Sequence, residues 1–272
     1  MLLNRTKEKV SRGEVTYGTI HGFPTPDVVR FFANVGYDWL FIDAEHDPVS
    51  PETVTRLVEA CHLHGMTPFV RVPDNTPGTI LRYLEAGAMG IIVPHLNNAE
   101  EARALVASVR YGPKGRRGAG STSRVANFGL TQTPAEYFAR ADAEIWTWGV
   151  IEEERGLKNL DEILAVEGLD LLGIGPGDLS ISLGMRGQAW APQVRAMVDD
   201  AEERIARSDK ILWSLVRNAE DNAVAVARGA KVILTNAIPI MHAAAAGYVR
   251  GLRDAEGRPD GKRAPGAVAI DR

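Results

Sequence analysis

The residues best placed to do chemistry lie where apolar runs end. Trp39-Leu40-Phe41-Ile42 leads straight into Asp43-Ala44-Glu45-His46, three ionisable side chains within four positions. Val70-Arg71, Ile151-Glu152 and Ile174-Gly175-Pro176-Gly177-Asp178 repeat the pattern. Buried strands whose carboxyl ends carry acids, bases and guanidinium groups are how parallel α/β enzymes place their chemistry. Glu152 and Asp178, at two successive strand ends, suit a hard divalent cation, Mg2+ or Mn2+, with the remaining positions left to water and substrate. The competing reading is two solvated carboxylates, and the acidic run Glu152-Glu153-Glu154 favours it for Glu152 taken alone. Arg71 can fork onto a carboxylate or an enolate oxygen, or pair with Asp43 or Glu45. His46 supplies an imidazole for general acid–base work, directly or through a water, with Asp43 and Glu45 able to orient it. A structural histidine is an equally open reading.

The other reactive side chains carry less. His95 follows Val93-Pro94 at a strand end, and a loop hydrogen bond is favoured over a place in the site. His62 and His64 stand two apart near a helix end, do not share a face, and read as partners of the helix dipole. Cys61 lies on an apolar helical stripe and reads as core. Gly112-Pro113-Lys114-Gly115-Arg116-Arg117-Gly118 lacks the spacing of a phosphate loop, and the run from Gly173 to Asp178 lacks that of a dinucleotide fingerprint.

Alternating strands and helices must position these groups. Strands are expected at 14–20, 39–43, 67–71, 90–93, 145–151, 169–174, 211–216 and 231–234. Helices are expected between them, opened by Thr25-Pro26, Ser50-Pro51 and Thr76-Pro77 and stopped at Gly36, Gly65 and Gly87. Further helices are expected at about 157–166, at 192–208, from Asn218 to Arg228, and at 239–249. Eight strands, each followed by helix, favour one closed (β/α)8 TIM barrel over an open doubly wound sheet. The barrel is expected to span residues 1–252. A Gly- and charge-rich tail, 253–272, would be ordered by contacts with a neighbouring subunit. The segment 111–129, rich in Gly, Arg and Ser and without period, reads as an active-site or subunit-contact loop.

Composition bounds the rest. The chain has 272 residues, 45% hydrophobic and 24% charged, enough for one large core. A net charge of −4 gives no broad basic surface for nucleic acid. No apolar stretch approaches the roughly 18 residues of a membrane span, and residues 1–10 lack the apolar segment of a secretory signal. A single cysteine excludes an internal disulfide and suits a cytoplasmic location.

Taken together and in order, several segments resemble the HpcH/HpaI aldolase family, the metal-dependent class II pyruvate aldolases. They are Asp43-Ala44-Glu45-His46, Val70-Arg71, Ala99-Glu100-Glu101-Ala102, Tyr111-Gly112-Pro113 with Gly115-Arg116-Arg117-Gly118, Ile151-Glu152, Lys158-Asn159-Leu160 and the run from Ile174 to Ser180. The resemblance extends from residue 18 to 234. It implies a (β/α)8 barrel that exchanges its last helix between subunits in a homotrimer or homohexamer. It implies Glu152 and Asp178 as ligands of a divalent metal, Mg2+ or Mn2+ with Co2+ also possible. Arg71 would hold the pyruvyl oxygens, and the backbone of Gly175 and Gly177 would meet the pyruvate carboxylate. His46, backed by Asp43 and Glu45, would move protons. The implied reaction is cleavage of a 4-hydroxy-2-oxo acid to pyruvate and an aldehyde. Decarboxylation of a 2-oxo diacid such as oxaloacetate, or non-catalytic binding of an oxo acid, would use the same scaffold. Three positions depart from the family pattern. Val150 stands where Gln is usual, Ile20 and His21 where an aromatic residue is common, and His95 where Met is common.

Overall fold

A computed structural model describes residues 3–20 and 22–255. His21 and most of the expected tail, 256–272, lie outside the described residues. The chain divides into a unit of residues 1–235 and a second unit beginning at Asn236.

In the first unit α1 (Arg5–Ser11) precedes β1 (Thr16–Ile20). There follow α2 (Pro26–Val35), β2 (Trp39–Asp43), α3 (Pro51–Leu63), β3 (Thr67–Arg71), α4 (Pro77–Ala86), β4 (Gly90–Val93), α5 (Ala99–Val109), α6 (Pro134–Glu144) and β5 (Trp146–Ile151). Next come α7 (Glu154–Lys158), α8 (Leu160–Leu164), β6 (Leu171–Ile174), α9 (Pro176–Ser182), α10 (Pro192–Ala206), β7 (Ile211–Leu215), α11 (Ala219–Arg228) and β8 (Val232–Asn236), which runs to the boundary with the second unit. The strands close into a barrel in sequence order, β1 to β8, and every described strand pair is parallel. The eight-stranded TIM barrel expected from the alternation is therefore the observed fold. The second unit contains α12 (Ala237–Ala255).

Local chemistry sets the helix ends. The Ser50 and Thr76 hydroxyls accept from the backbone N–H groups of Thr53 and Thr79, each ahead of a proline in the first turn. Gly36 and Gly87 end α2 and α4 in the left-handed region, at φ 108° and 104°. The helix expected at 157–166 is two short helices parted at Asn159, whose side-chain amide donates to the Asn97 carbonyl.

Alternation along each strand fills the barrel. Trp39 and Phe41 of β2, Phe69 of β3, Trp146, Trp148 and Val150 of β5, and Trp213 of β7 pack in one buried cluster. Trp148 is its hub, with ring centroids 5.5 Å from Trp39, 5.6 Å from Phe69 and 5.5 Å from Trp213. Glycines on other strands make room for these rings. A Cβ on Gly18 would lie 2.1 Å from the Trp39 ring, one on Gly90 2.6 Å from Phe69, and one on Gly173 2.4 Å from the Trp213 carbonyl oxygen.

α1 stands at the amino end of this core. The Asn4 side chain donates to the Glu144 carbonyl, the Thr6 hydroxyl bonds that of Thr67, and Val10 packs against the cluster. The segment 111–129 lies at the same end, which corrects its reading as an active-site loop. Arg124 donates to the Ala86 carbonyl just before β4, and Arg117 reaches Glu85 of α4. The physical reason is connectivity. A connection that leaves a helix and leads towards the next strand runs at the amino ends of the strands, away from the catalytic mouth.

The aromatic core predicts a sharp contrast between glycines. Gly18→Ala forces a methyl group into the Trp39 ring and should cost about 1–3 kcal/mol in denaturant unfolding. Gly78→Ala meets nothing within 4 Å and should stay within about 0.5 kcal/mol of the parent. Equal midpoints for the two variants would contradict the packing described here.

Candidate active site

The face that buries Trp39 and Phe41 continues to Asp43, the face of Phe69 to Arg71, and the face of Trp148 and Val150 to Glu152. Period-two alternation thus delivers an acid, a guanidinium and a second acid to the carboxyl mouth of the barrel, directly above its aromatic filling. β2 and β3 are in register at Asp43 and Arg71. Arg71 donates through Nε to Asp43 Oδ1 at 3.0 Å and through Nη2 to Asp43 Oδ2 at 2.6 Å. Asp43 Oδ1 also accepts from the backbone N–H groups of Glu45 and His46. Burial alone would raise the Asp43 carboxyl. The guanidinium and the two amides outweigh it and hold the group below the usual carboxylate range. Glu45 Oε2 lies 3.1 Å from Arg71 Nε yet has no hydrogen bond, because that N–H is spent on Asp43, so the contact is one of charge alone.

Glu152 is the buried acid of the mouth, 2% exposed. Its Oε1 accepts from the backbone N–H of His95 at 2.8 Å. Burial pushes its carboxyl up to about 7, with the charge of Asp178 adding and the His95 amide and imidazole and Arg71 opposing. His95 occupies the left-handed region at φ 51°, an uncommon conformation for a side-chain-bearing residue. The next residue, Leu96, donates its N–H to the Val150 carbonyl and fills the space beside Gly149, where a Cβ would lie 2.5 Å from its Cδ2. This turn sets the His95 imidazole among three acids. Nδ1 is 3.0 Å from Glu153 Oε1 and 3.8 Å from Glu152 Oε1, and Nε2 is 3.6 Å from Glu45 Oε1.

Asp178 sits half-buried in the first turn of α9. Gly175 precedes that helix, and a Cβ there would lie 2.6 Å from Glu152 Oε2, so only glycine leaves the carboxylate its place. Gly177 is exposed, with nothing near its Cβ direction. Among the described residues no group of three or more His, Cys, Asp or Glu is arranged to hold a metal ion. A cation between Glu152 and Asp178 would therefore have two protein carboxylates and draw its other ligands from water and substrate.

The structure brings Asp43, Glu45, Arg71 and Glu152 together, with Asp178 within electrostatic reach of Glu152. His46 stands at the rim, its side chain 58% exposed and Nε2 3.7 Å from Glu45 Oε2. Asp43 meets His46 through the backbone N–H of that residue, and Glu45 is the acid beside its imidazole. His95, read as a loop histidine, is the imidazole nearest the acids, and Glu153 is its closest partner. The signal for this was the pair of glycines at 149 and 156, which clear the path of Leu96. Cys61 is buried core, as its stripe implied, and burial raises its thiol well above the usual range. His62 is corrected. Burial, and after it the charge of Arg124, lowers its imidazole to about 4, so it is neutral at neutral pH and cannot serve as a cationic dipole partner.

Known proteins share this arrangement of strands. The HpcH/HpaI aldolase/citrate lyase family matches residues 23–246. A hydroxypyruvate/pyruvate aldolase of Roseobacter denitrificans is 37% identical over 209 residues, 76% of this chain and 80% of its own. A 2-keto-3-deoxy-L-rhamnonate aldolase of Escherichia coli is 35% identical over 211 residues, 77% of this chain and 78% of its own. The solved HpcH/HpaI aldolase of Desulfitobacterium hafniense superposes with a TM-score of 0.85 at 29% identity, covering 91% of this chain and 96% of that one. With most of the barrel matched in both sequence and fold, the chain belongs to the HpcH/HpaI aldolase/citrate lyase family.

Proposed function

We propose that the barrel mouth cleaves a 4-hydroxy-2-oxo acid to pyruvate and an aldehyde. The carrying observation is the charge balance. Asp43, Glu45, Glu152, Glu153 and Asp178 gather around one guanidinium, Arg71, and one close imidazole, His95. Among the described residues no Lys or Arg is bonded to Glu152, the nearest imidazole nitrogen is 3.8 Å away on His95, and the carboxylate is buried against Gly175, which supplies no side chain. Such a site fits a divalent cation, Mg2+ or Mn2+ with Co2+ as a further candidate. Held by Glu152 and Asp178, the ion would supply Lewis-acid stabilisation of negative charge on the 2-oxo oxygen. Pyruvate aldolase relatives support the reading, as does the spacing of these acids on adjacent strands.

The chain's own groups divide the remaining work. Arg71 is held rigid by Asp43 through Nε and Nη2, so Nη1 is the edge left to a substrate oxygen. The backbone at Gly175 and Gly177 lies at the start of α9, where no Cβ obstructs a small carboxylate. Cleavage removes the proton from the 4-hydroxyl, breaks the C3–C4 bond and leaves the electron pair on C3, conjugated with the 2-oxo group. Protonation at C3 then gives pyruvate. His46 at the rim and His95 deeper in the mouth are the imidazoles available to take and return that proton. Buried Val150 favours a second reading. It puts an apolar wall beside Glu152, where the family pattern has an amide donor. Decarboxylation of an oxaloacetate-type diacid needs the same enolate and no base for a 4-hydroxyl.

The assembly is proposed to be a homotrimer or homohexamer that shares α12. Met241, Tyr248 and Leu252 recur at i, i+7 and i+11 along this helix and are 41%, 72% and 51% exposed. No described helix is long and apolar enough to cross a membrane.

Three outcomes are expected. Pyruvate release from a panel of 4-hydroxy-2-oxo acids should vanish in EDTA and return with Mg2+ or Mn2+. It should fall roughly 100-fold or more in Arg71→Lys, because an ammonium cannot keep the fork to Asp43 and still reach substrate. Release from oxaloacetate alone would select the decarboxylase, and binding of pyruvate without turnover would leave a binding protein. Light scattering should give a mass of three or six chains, reduced in Tyr248→Glu; a monomeric parent would defeat the shared-helix proposal.

A further inference from the structure

The mouth that takes pyruvate must also take the aldehyde half, and its charges constrain what that half can carry. Asp43, Glu45, Glu152, Glu153 and Asp178 form one connected group. Glu45 Oε2 is 3.1 Å from Arg71 Nε, and Glu45 Oε1 is 3.6 Å from His95 Nε2. His95 Nδ1 is 3.0 Å from Glu153 Oε1 and 3.8 Å from Glu152 Oε1. Asp47 stands within electrostatic reach of Asp43, Arg71 and His46. Glu153 and His95 are the accessible members, with side chains 38% and 46% exposed.

The cations at this end of the barrel are largely spent. Arg71 gives Nε and Nη2 to Asp43 and keeps Nη1 for the pyruvyl oxygens. Arg217, just after β7, gives Nε and Nη2 to Asp221, and Lys158 pairs with Glu154 at 2.8 Å. Arg155, exposed in α7, adds one positive charge at most. Six carboxylates thus gather around one guanidinium. A divalent ion held by Glu152 and Asp178 would leave three of those charges unbalanced, and bound pyruvate would bring a fourth. Counting Arg155, His46 and His95 all as positive still leaves the occupied mouth negative. A carboxylate or phosphate on the incoming aldehyde would enter against that field, in a site too dry to screen it as bulk water does. An uncharged aldehyde meets no such barrier.

We propose that the mouth selects an acceptor aldehyde without negative charge and discriminates against one that carries a carboxylate or phosphate, with Glu153 as the accessible selecting residue. This rests on the aldolase reading above. On the same ground an oxaloacetate-type diacid is the poorer of the two substrate classes considered there.

The test runs the reaction in reverse, with Mg2+ and pyruvate saturating. C3 of pyruvate loses a proton and bonds the aldehyde carbon, and the aldehyde oxygen takes up a proton. The two acceptors are 4-oxobutanoate and its uncharged methyl ester. At low salt kcat/KM for the ester should exceed that for the acid roughly tenfold or more. In about 1 M KCl, where charges reach only about 3 Å, the ratio should fall to about threefold or less. Glu153→Gln should narrow the low-salt ratio roughly threefold, and a general loss of activity cancels from that ratio. Calorimetry with Mg2+ gives a reading without turnover. There 2-oxoglutarate should bind roughly tenfold or more weakly than 5-methyl-2-oxohexanoate, which has an isopropyl group in place of the distal carboxylate, with the same dependence on salt. Failure of every aldehyde to react would end the aldolase reading, while the binding ratio would still decide the selectivity. An acid used or bound as well as its uncharged counterpart, or a preference unmoved by salt or by Glu153→Gln, would each overturn the proposal.

Discussion

A side chain on a barrel strand faces either the interior or the surrounding helices, and that constraint governs this molecule. Four tryptophans, at 39, 146, 148 and 213, fill the interior so fully that Gly18, Gly90 and Gly173 carry no side chain opposite them. The next inward positions have no room below them. Asp43, Arg71 and Glu152 therefore converge at the carboxyl mouth. The same packing closes the barrel floor and makes the acids a compact group rather than scattered surface charges.

Within that group the charges are unequally settled. Asp43 and Arg71 form a bidentate pair on adjacent, in-register strands, and each strengthens the charged form of the other. Glu152 receives one backbone N–H, lies near the His95 imidazole and the Arg71 charge, and is otherwise held against apolar walls, the Asp178 charge and a glycine. A buried acid left in this state is costly to ionise. Functional sites keep such groups where a ligand supplies the missing charge. The His95 turn serves the same end, since its left-handed backbone delivers the amide that fixes Glu152 and brings an imidazole to Glu45 and Glu153.

Much of this was legible in the sequence, for identifiable reasons. β2, β3 and β4 fall at the expected residues because each is an apolar run ended by a charged or special residue. The barrel followed from the regular alternation, and the mouth residues from their place at strand ends. α1 was not legible. Its sequence, Arg-Thr-Lys-Glu-Lys-Val-Ser, has no apolar stripe, and it docks through Asn4, Thr6 and the single Val10. α9 was hidden because Gly175-Pro176-Gly177 reads as a bend, although glycine before and proline at the first position also open a helix. The environment of His95 depends on one positive φ and on Leu96 finding space beside Gly149. Neither is carried by the residue types near His95. The 111–129 segment showed its composition but not its end of the barrel, which only the order of helix and strand determines.

The most direct measurement is the melting temperature of the parent and of Glu152→Gln against pH, with and without Mg2+. The folded-state value near 7 lies above the unfolded 4.5, so below pH 4.5 both states hold the proton and the two proteins should melt alike. As pH rises through 7 the metal-free parent should lose up to about 3 kcal/mol relative to Glu152→Gln. Mg2+ at pH 8 should then raise the melting temperature of the parent and leave that of the variant unchanged. Parallel pH curves for the two proteins, with no Mg2+ shift in the parent, would contradict the account of Glu152 as a buried carboxylate that awaits a cation.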